Sequence, residues 1–147
     1  MAGPYVYSNP LSLVGKDYVA DVAGNYLGGC VSLVKHYIPE LQNRTTASWI
    51  EGRNVIETIK SGGSIMIGTA IATFRNGRFE SGNGHAAFFA GSFKDPKEGI
   101  RIIVVEQYLG GNPSNKIIKR ELRNRGKNAN GTYNDPSNNG EAFSVIL

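Results

Sequence analysis

The sequence predicts an α+β fold in which a few helices pack on an antiparallel sheet. Three observations predict it. Helix-period segments lie in the first half of the chain. Strand-like segments then follow one another closely from Ile65 to Ile146, and no helical segment is interleaved among them. Alternating βαβ units are thereby excluded.

A length of 147 residues fits one domain spanning 1–147, large enough to bury a core without covalent staples. The single cysteine excludes an internal disulfide framework and any multi-cysteine zinc site. With only two histidines besides, no metal and no cofactor is expected. The net charge of +4 is ordinary for solubility and only mildly favours an anionic partner. Nineteen glycines mean many turns and few long helices. The start, Met1 to Pro10, has neither the basic nor the apolar region of a signal peptide. No window approaches the roughly 18 apolar residues of a membrane span. Cytoplasmic synthesis and no membrane partner are expected.

The elements follow in order. Residues 1–15 are turn-rich. Lys16 to Leu27 reads as either a helix start or a loop, with Gly24 weakening the helix. Cys30, Leu33, Val34, Tyr37 and Ile38 recur at i, i+3, i+4, i+7 and i+8, the period of an amphipathic helix that Pro39 ends. Asn43 to Trp49 is a connector, and Asn54 to Lys60 a short helical turn broken by Ser61-Gly62-Gly63. Five strands are expected: Ile65 to Phe74, His85 to Phe93, Ile100 to Val105, Lys116 to Arg123 and Ala142 to Ile146. Asn76-Gly77 is a hairpin turn signal after the first. Asn124 to Gly140, dense in Asn, Gly and Pro, reads as a mobile loop.

Three side chains are candidates for chemistry. Cys30 opens the helix, on its inward face. A free cysteine there can be simply a small buried hydrophobe. A first-turn position also sets the sulfur beside unpaired N–H groups and the positive end of the helix dipole, which favour thiolate. Gly28 and Gly29 before it leave room for a substrate. His85 opens an apolar strand behind Ser81-Gly82-Asn83-Gly84, either as a core histidine or as an imidazole at a cleft mouth. His36, on the helix of Cys30, is roughly 240° around it from the sulfur. Glu106 ends the run Ile102 to Val105, where a carboxylate needs a donor partner or water. An imidazole N–H is such a donor, as in Cys–His sites.

Gly28-Gly29-Cys30 opening a helix, Gly84-His85-Ala86-Ala87-Phe88-Phe89 on a strand and Val104-Val105-Glu106-Gln107-Tyr108 ending the next resemble the CHAP and NlpC/P60 superfamily of papain-like cysteine amidases. Within it, the small size and the segment Gly68-Thr69-Ala70-Ile71-Ala72-Thr73-Phe74 resemble the amidase effectors of type VI secretion. The resemblance spans about Gly24 to Gly110. It implies a papain-like fold and a peptidoglycan amidase or endopeptidase that cuts between diaminopimelate and D-Ala or between D-Glu and diaminopimelate. It implies Cys30 as nucleophile, His85 as base and then acid, and Glu106 as the group orienting the imidazole. Gln107 is the rival for that third place. The Cys30 N–H would donate to the oxyanion, with Tyr26 as an auxiliary donor. CHAP domains often carry an Asn where Tyr108 stands here. Arg53, Arg75, Arg78, Lys119, Arg120 and Arg123 either hold the anionic wall polymer or form a general solvated basic surface, the second being the favoured reading. The partners implied are peptidoglycan, the type VI secretion apparatus and an immunity protein, with action in the target-cell periplasm after signal-less export.

Two other classes compete. A non-catalytic binding module on a half-open barrel would keep Cys30 structural, and its thiol would be unreactive near pH 6. A single-stranded nucleic-acid binder would use the seven Tyr, six Phe and one Trp. The strand aromatics show no exposed stacking pattern and no RNP-like motif is present, so no nucleic-acid partner is expected.

Overall fold

The structure is a computed structural model that describes residues 3–80, 82–109 and 115–147. Ser81, in the loop before His85, and Gly110, where the resemblance ends, fall outside the described residues. The elements are β1 (Glu51–Asn54), β2 (Ala70–Arg75), β3 (Arg78–Phe79), β4 (Ala86–Asp95), β5 (Gly99–Glu106), β6 (Ile118–Glu121) and β7 (Phe143–Ile146), with helices α1 (Cys30–Tyr37) and α2 (Val55–Lys60). Among the described residues five short 3₁₀ turns complete them.

The named strands pair antiparallel, in the order β1-β7-β2-β4-β5-β6, with β3 folded back on β2. Among the described residues the sheet has seven strands, not about five. The strand Glu51–Asn54 carries no apolar residue and lies at an edge, so it had no buried face to leave an alternating signature. The N-terminal half is also not helix-rich: Lys16 to Leu27 is irregular, and its two α-helices have eight and six residues.

Both faces of the central strands are covered, which explains their near-continuous apolar runs. Ala70, Ala72, Ala86, Phe88 and Val105 join Leu33, Val34 and Trp49 in one core cluster. Their neighbours Ile71, Ala87, Phe89 and Val104 join Val55, Ile56 and Phe143 in a second. Neighbours along one strand fall into opposite clusters, as the pleat requires. Leu33 and Val34 of α1 are fully buried, as the 3.6-residue period predicts. Asn76 (φ 54°) and Gly77 (φ 77°) form the β2–β3 turn in left-handed backbone, which Asn and Gly tolerate.

The segment from Asn124 to Gly140 is not a free loop. Asn139 is fully buried; its amide donates to Gly126 O and Asn134 O and accepts from Arg125 N and Glu141 N. Its Asn content pins the chain through side-chain bonds to backbone. No described helix is long and apolar enough to cross a membrane.

Candidate active site

The N-terminus of α1 faces the start of β4 and the end of β5. Gly29 caps α1 without a side-chain bond, so the first N–H groups of the helix are left for other partners. Cys30 is its first residue and stays partly accessible. His85 directly precedes β4 and is 4% exposed, while Glu106 ends β5 and is fully buried.

His85 Nε2 lies 2.7 Å from Glu106 Oε1. With Nε2 engaged there, Nδ1 is the ring nitrogen left for the Cys30 thiol, to which the ring is hydrogen-bonded. The N–H groups of Val31 and Ala86 also favour the charged form of the sulfur. Burial pushes the Cys30 thiol up, but the hydrogen bond and charge of His85, with the two backbone donors, outweigh it and hold the thiol below its usual value. Burial likewise disfavours charge on His85. Its bonds to Cys30 and Glu106 prevail and raise it to about 9. Desolvation raises the Glu106 carboxyl, and His85 and Arg120 together bring it below the usual range. Each of the three shifts favours the charged form of its group: thiolate, imidazolium and carboxylate.

The sheet register explains the alignment. Val105 pairs Phe88 across β4 and β5, and Val104 pairs Arg120 across β5 and β6. Arg120 therefore stands diagonally from Glu106 on the same face. Its Nη2 donates to Glu106 Oε1 at 3.1 Å, and its Nε makes a charge contact with Oε2 at 2.5 Å. It also binds Asn138 Oδ1 and Ser137 O, and lies over the Tyr108 ring. Arg120 is thus the counter-ion of a buried carboxylate rather than part of a solvated basic surface. The sequence carried a signal for this. Ile118, Arg120 and Leu122 share one strand parity, so an arginine sits on a face otherwise apolar.

The other candidates fall as follows. Gln107 is fully buried and does not contact His85. Its amide is spent on main chain, donating to Val19 O and Gly29 O and accepting from Val19 N. It therefore supplies neither the third member nor a donor into the cleft. Tyr26 lines the cleft with Cys30, its ring 80% exposed. His36 turns away, with Nδ1 2.9 Å from Ala20 O. Gly28 serves the backbone rather than substrate access: its φ is +83°, and a Cβ there would meet the Tyr18 ring at 2.6 Å.

Cys30 borders two clefts, of about 460 and 260 Å³. Tyr26, Lys35 and Phe79 line the first; His85, Tyr108 and Arg120 line the second. An extended substrate can therefore lie across the sulfur.

The sequence model of the family Dae2, domesticated amidase effector 2, matches residues 4–146. A protein of Salmonella typhi described as type VI secretion amidase effector 2 is 36% identical over 149 residues, covering 97% of this chain and 98% of that protein. The solved structure of a type 6 secretion amidase effector 2 (Tae2) superposes with a TM-score of 0.76 at 31% identity, covering 98% of this chain and 94% of that one. The chain described here belongs to the domesticated amidase effector 2 family.

Proposed function

We propose that this protein is a peptidoglycan amidase that cleaves by Cys–His nucleophilic catalysis, as a single papain-like domain related to the NlpC/P60 and CHAP enzymes. The observation that carries the mechanism is the line Cys30–His85–Glu106, with a 2.7 Å bond at its acidic end and an accessible sulfur at the other. The family membership and the relatives' description as amidase effectors carry the substrate class.

The thiolate of Cys30 attacks the amide carbonyl carbon and the electron pair moves onto oxygen. The Cys30 N–H, first in an uncapped helix, donates to that oxyanion. The C–N bond then breaks as His85 gives its proton to the leaving amine, leaving a thioester. Water attacks the thioester while neutral His85 takes its proton. The C–S bond breaks, and a carboxylic acid and the thiolate–imidazolium pair are restored. Glu106, held by Arg120, fixes the ring for both transfers. Tyr26 adds a second, solvent-competed donor, so Tyr26→Phe lowers kcat about threefold, the scale of an exposed hydrogen bond.

The bond cut lies in the stem peptide or its cross-link, between diaminopimelate and D-Ala or between D-Glu and diaminopimelate. Export is by type VI secretion, action is in the target periplasm, and the producer carries an immunity protein. Directed to a Gram-negative periplasm, the wild type lyses the cell and Cys30→Ala does not; both are harmless in the cytoplasm. Lysis by Cys30→Ala refutes the cysteine mechanism. Muropeptide masses after digestion identify the bond.

A further inference from the structure

We infer that Gln107 is the positioning residue that aims the oxyanion donor, by locking the plane of the peptide bond between Gly29 and Cys30. The inference rests on the reading of Cys30 as nucleophile and adds a residue whose work is separable from making the thiolate. Gln107 follows Glu106 directly, yet it serves the other half of the site. Glu106 holds the imidazole, while the Gln107 amide reaches Gly29 O at 2.9 Å, Val19 O at 2.8 Å and, through Oε1, Val19 N at 2.9 Å. The side chain is fully buried, so water does not compete for these bonds.

Gly29 O and the Cys30 N–H belong to one peptide unit. In a planar trans unit they point in opposite directions. A donor fixed on Gly29 O from within the protein therefore turns the Cys30 N–H outward, to the side where the sulfur meets the clefts. That N–H has no acceptor among the described residues. Gly29 has no side chain to hold the unit, and its φ of −70° and ψ of 145° are shared by many extended conformations. Orientation must come from outside, and Gln107 supplies it. Donation to the carbonyl also polarises the peptide and strengthens the N–H as a donor. Val19 O additionally accepts from Gly28 N, and Tyr18 Oη donates to Tyr108 O, so the clamp ties the approach to α1 to the end of β5.

The test compares two reactions of the same sulfur in Gln107→Glu and Gln107→Met. Amide hydrolysis builds an oxyanion and needs the donor. Alkylation by iodoacetamide forms an S–C bond as iodide leaves, builds no oxyanion, and needs only the thiolate. Both variants should lower kcat by about a hundredfold, the scale of one lost oxyanion donor. In Gln107→Met, which adds no charge, KM, the alkylation rate at Cys30 and its pH dependence should stay within about twofold. Unchanged kcat overturns the inference. Parallel loss of alkylation, or a shift of its pH profile to that of an ordinary thiol in both variants, also overturns it, because Gln107 would then serve the fold alone. Hydrolysis surviving in Cys30→Ala would instead strike the underlying reading of the nucleophile.

Discussion

Arg120 Nε stands 2.5 Å from Oε2 of Glu106, while Oε1 of the same carboxylate faces His85. Glu106 is fully buried, so its charge depends on these two neighbours. Removing one partner of a buried ion pair leaves an uncompensated charge and typically costs 3–5 kcal/mol. Arg120→Met should therefore destabilise the protein by about 3 kcal/mol, read by urea denaturation. Adding Glu106→Gln should recover much of that stability without restoring hydrolysis. A surface arginine would move stability by less than about 0.5 kcal/mol.

The pH dependence of kcat/KM follows from the same charges. In the proposed mechanism hydrolysis needs a thiolate on Cys30 and a proton on His85. The thiol titrates below its ordinary value, which sets the acid limb; His85 loses its proton near 9, which sets the alkaline limb. Glu106→Gln removes one of the charges that raise His85, so the alkaline limb should move to lower pH. An orienting hydrogen bond survives in the amide, so the loss of kcat/KM should be milder than for His85→Ala. An alkaline limb that stays in place would mean that the carboxylate charge does not act on the ring.

The same two shifts act on stability with opposite signs. A raised folded value means that His85 stabilises the fold fully below its ordinary 6.5, and this contribution is lost as pH rises through about 9. Cys30, held below its ordinary value, acts the opposite way and gains stability as its thiol ionises in the folded state first, so the urea midpoint of the wild type should fall by less than His85 alone would give. In Cys30→Ala, which lacks one of the two groups raising His85, the fall should end at lower pH.

Gly28→Ala should impair the enzyme through the backbone. Its φ of +83° disfavours any side chain, and a Cβ would press on Tyr18 at 2.6 Å and Leu109 at 2.8 Å. Gly29→Ala, with φ of −70° and its nearest contact at 3.2 Å, should be milder. Melting temperatures of the two variants check the order. If Gly29→Ala were the more damaging, the space beside Cys30 would matter more than the turn.

Much of the helix and strand order was legible because it rests on local rules. The apolar period placed α1 with Cys30 as its first residue, Pro39 ended it, and Asn76-Gly77 turned the hairpin. Illegible were features that need a partner distant in sequence. Glu51–Asn54 is a strand only because β7 pairs with it. Arg120 looked like one more surface cation until β6 was set beside β5. Gln107 looked like a rival for the acid, since nothing local reveals that Val19 and Gly29 consume its amide.

The most direct test is the intact mass of the protein after acid quenching of a reaction with purified peptidoglycan fragments. A covalent adduct on Cys30 with the mass of the acyl fragment, absent from Cys30→Ala together with muropeptide release, is the predicted result. Release of the same muropeptides by Cys30→Ala, with no adduct on the wild type, would contradict the account.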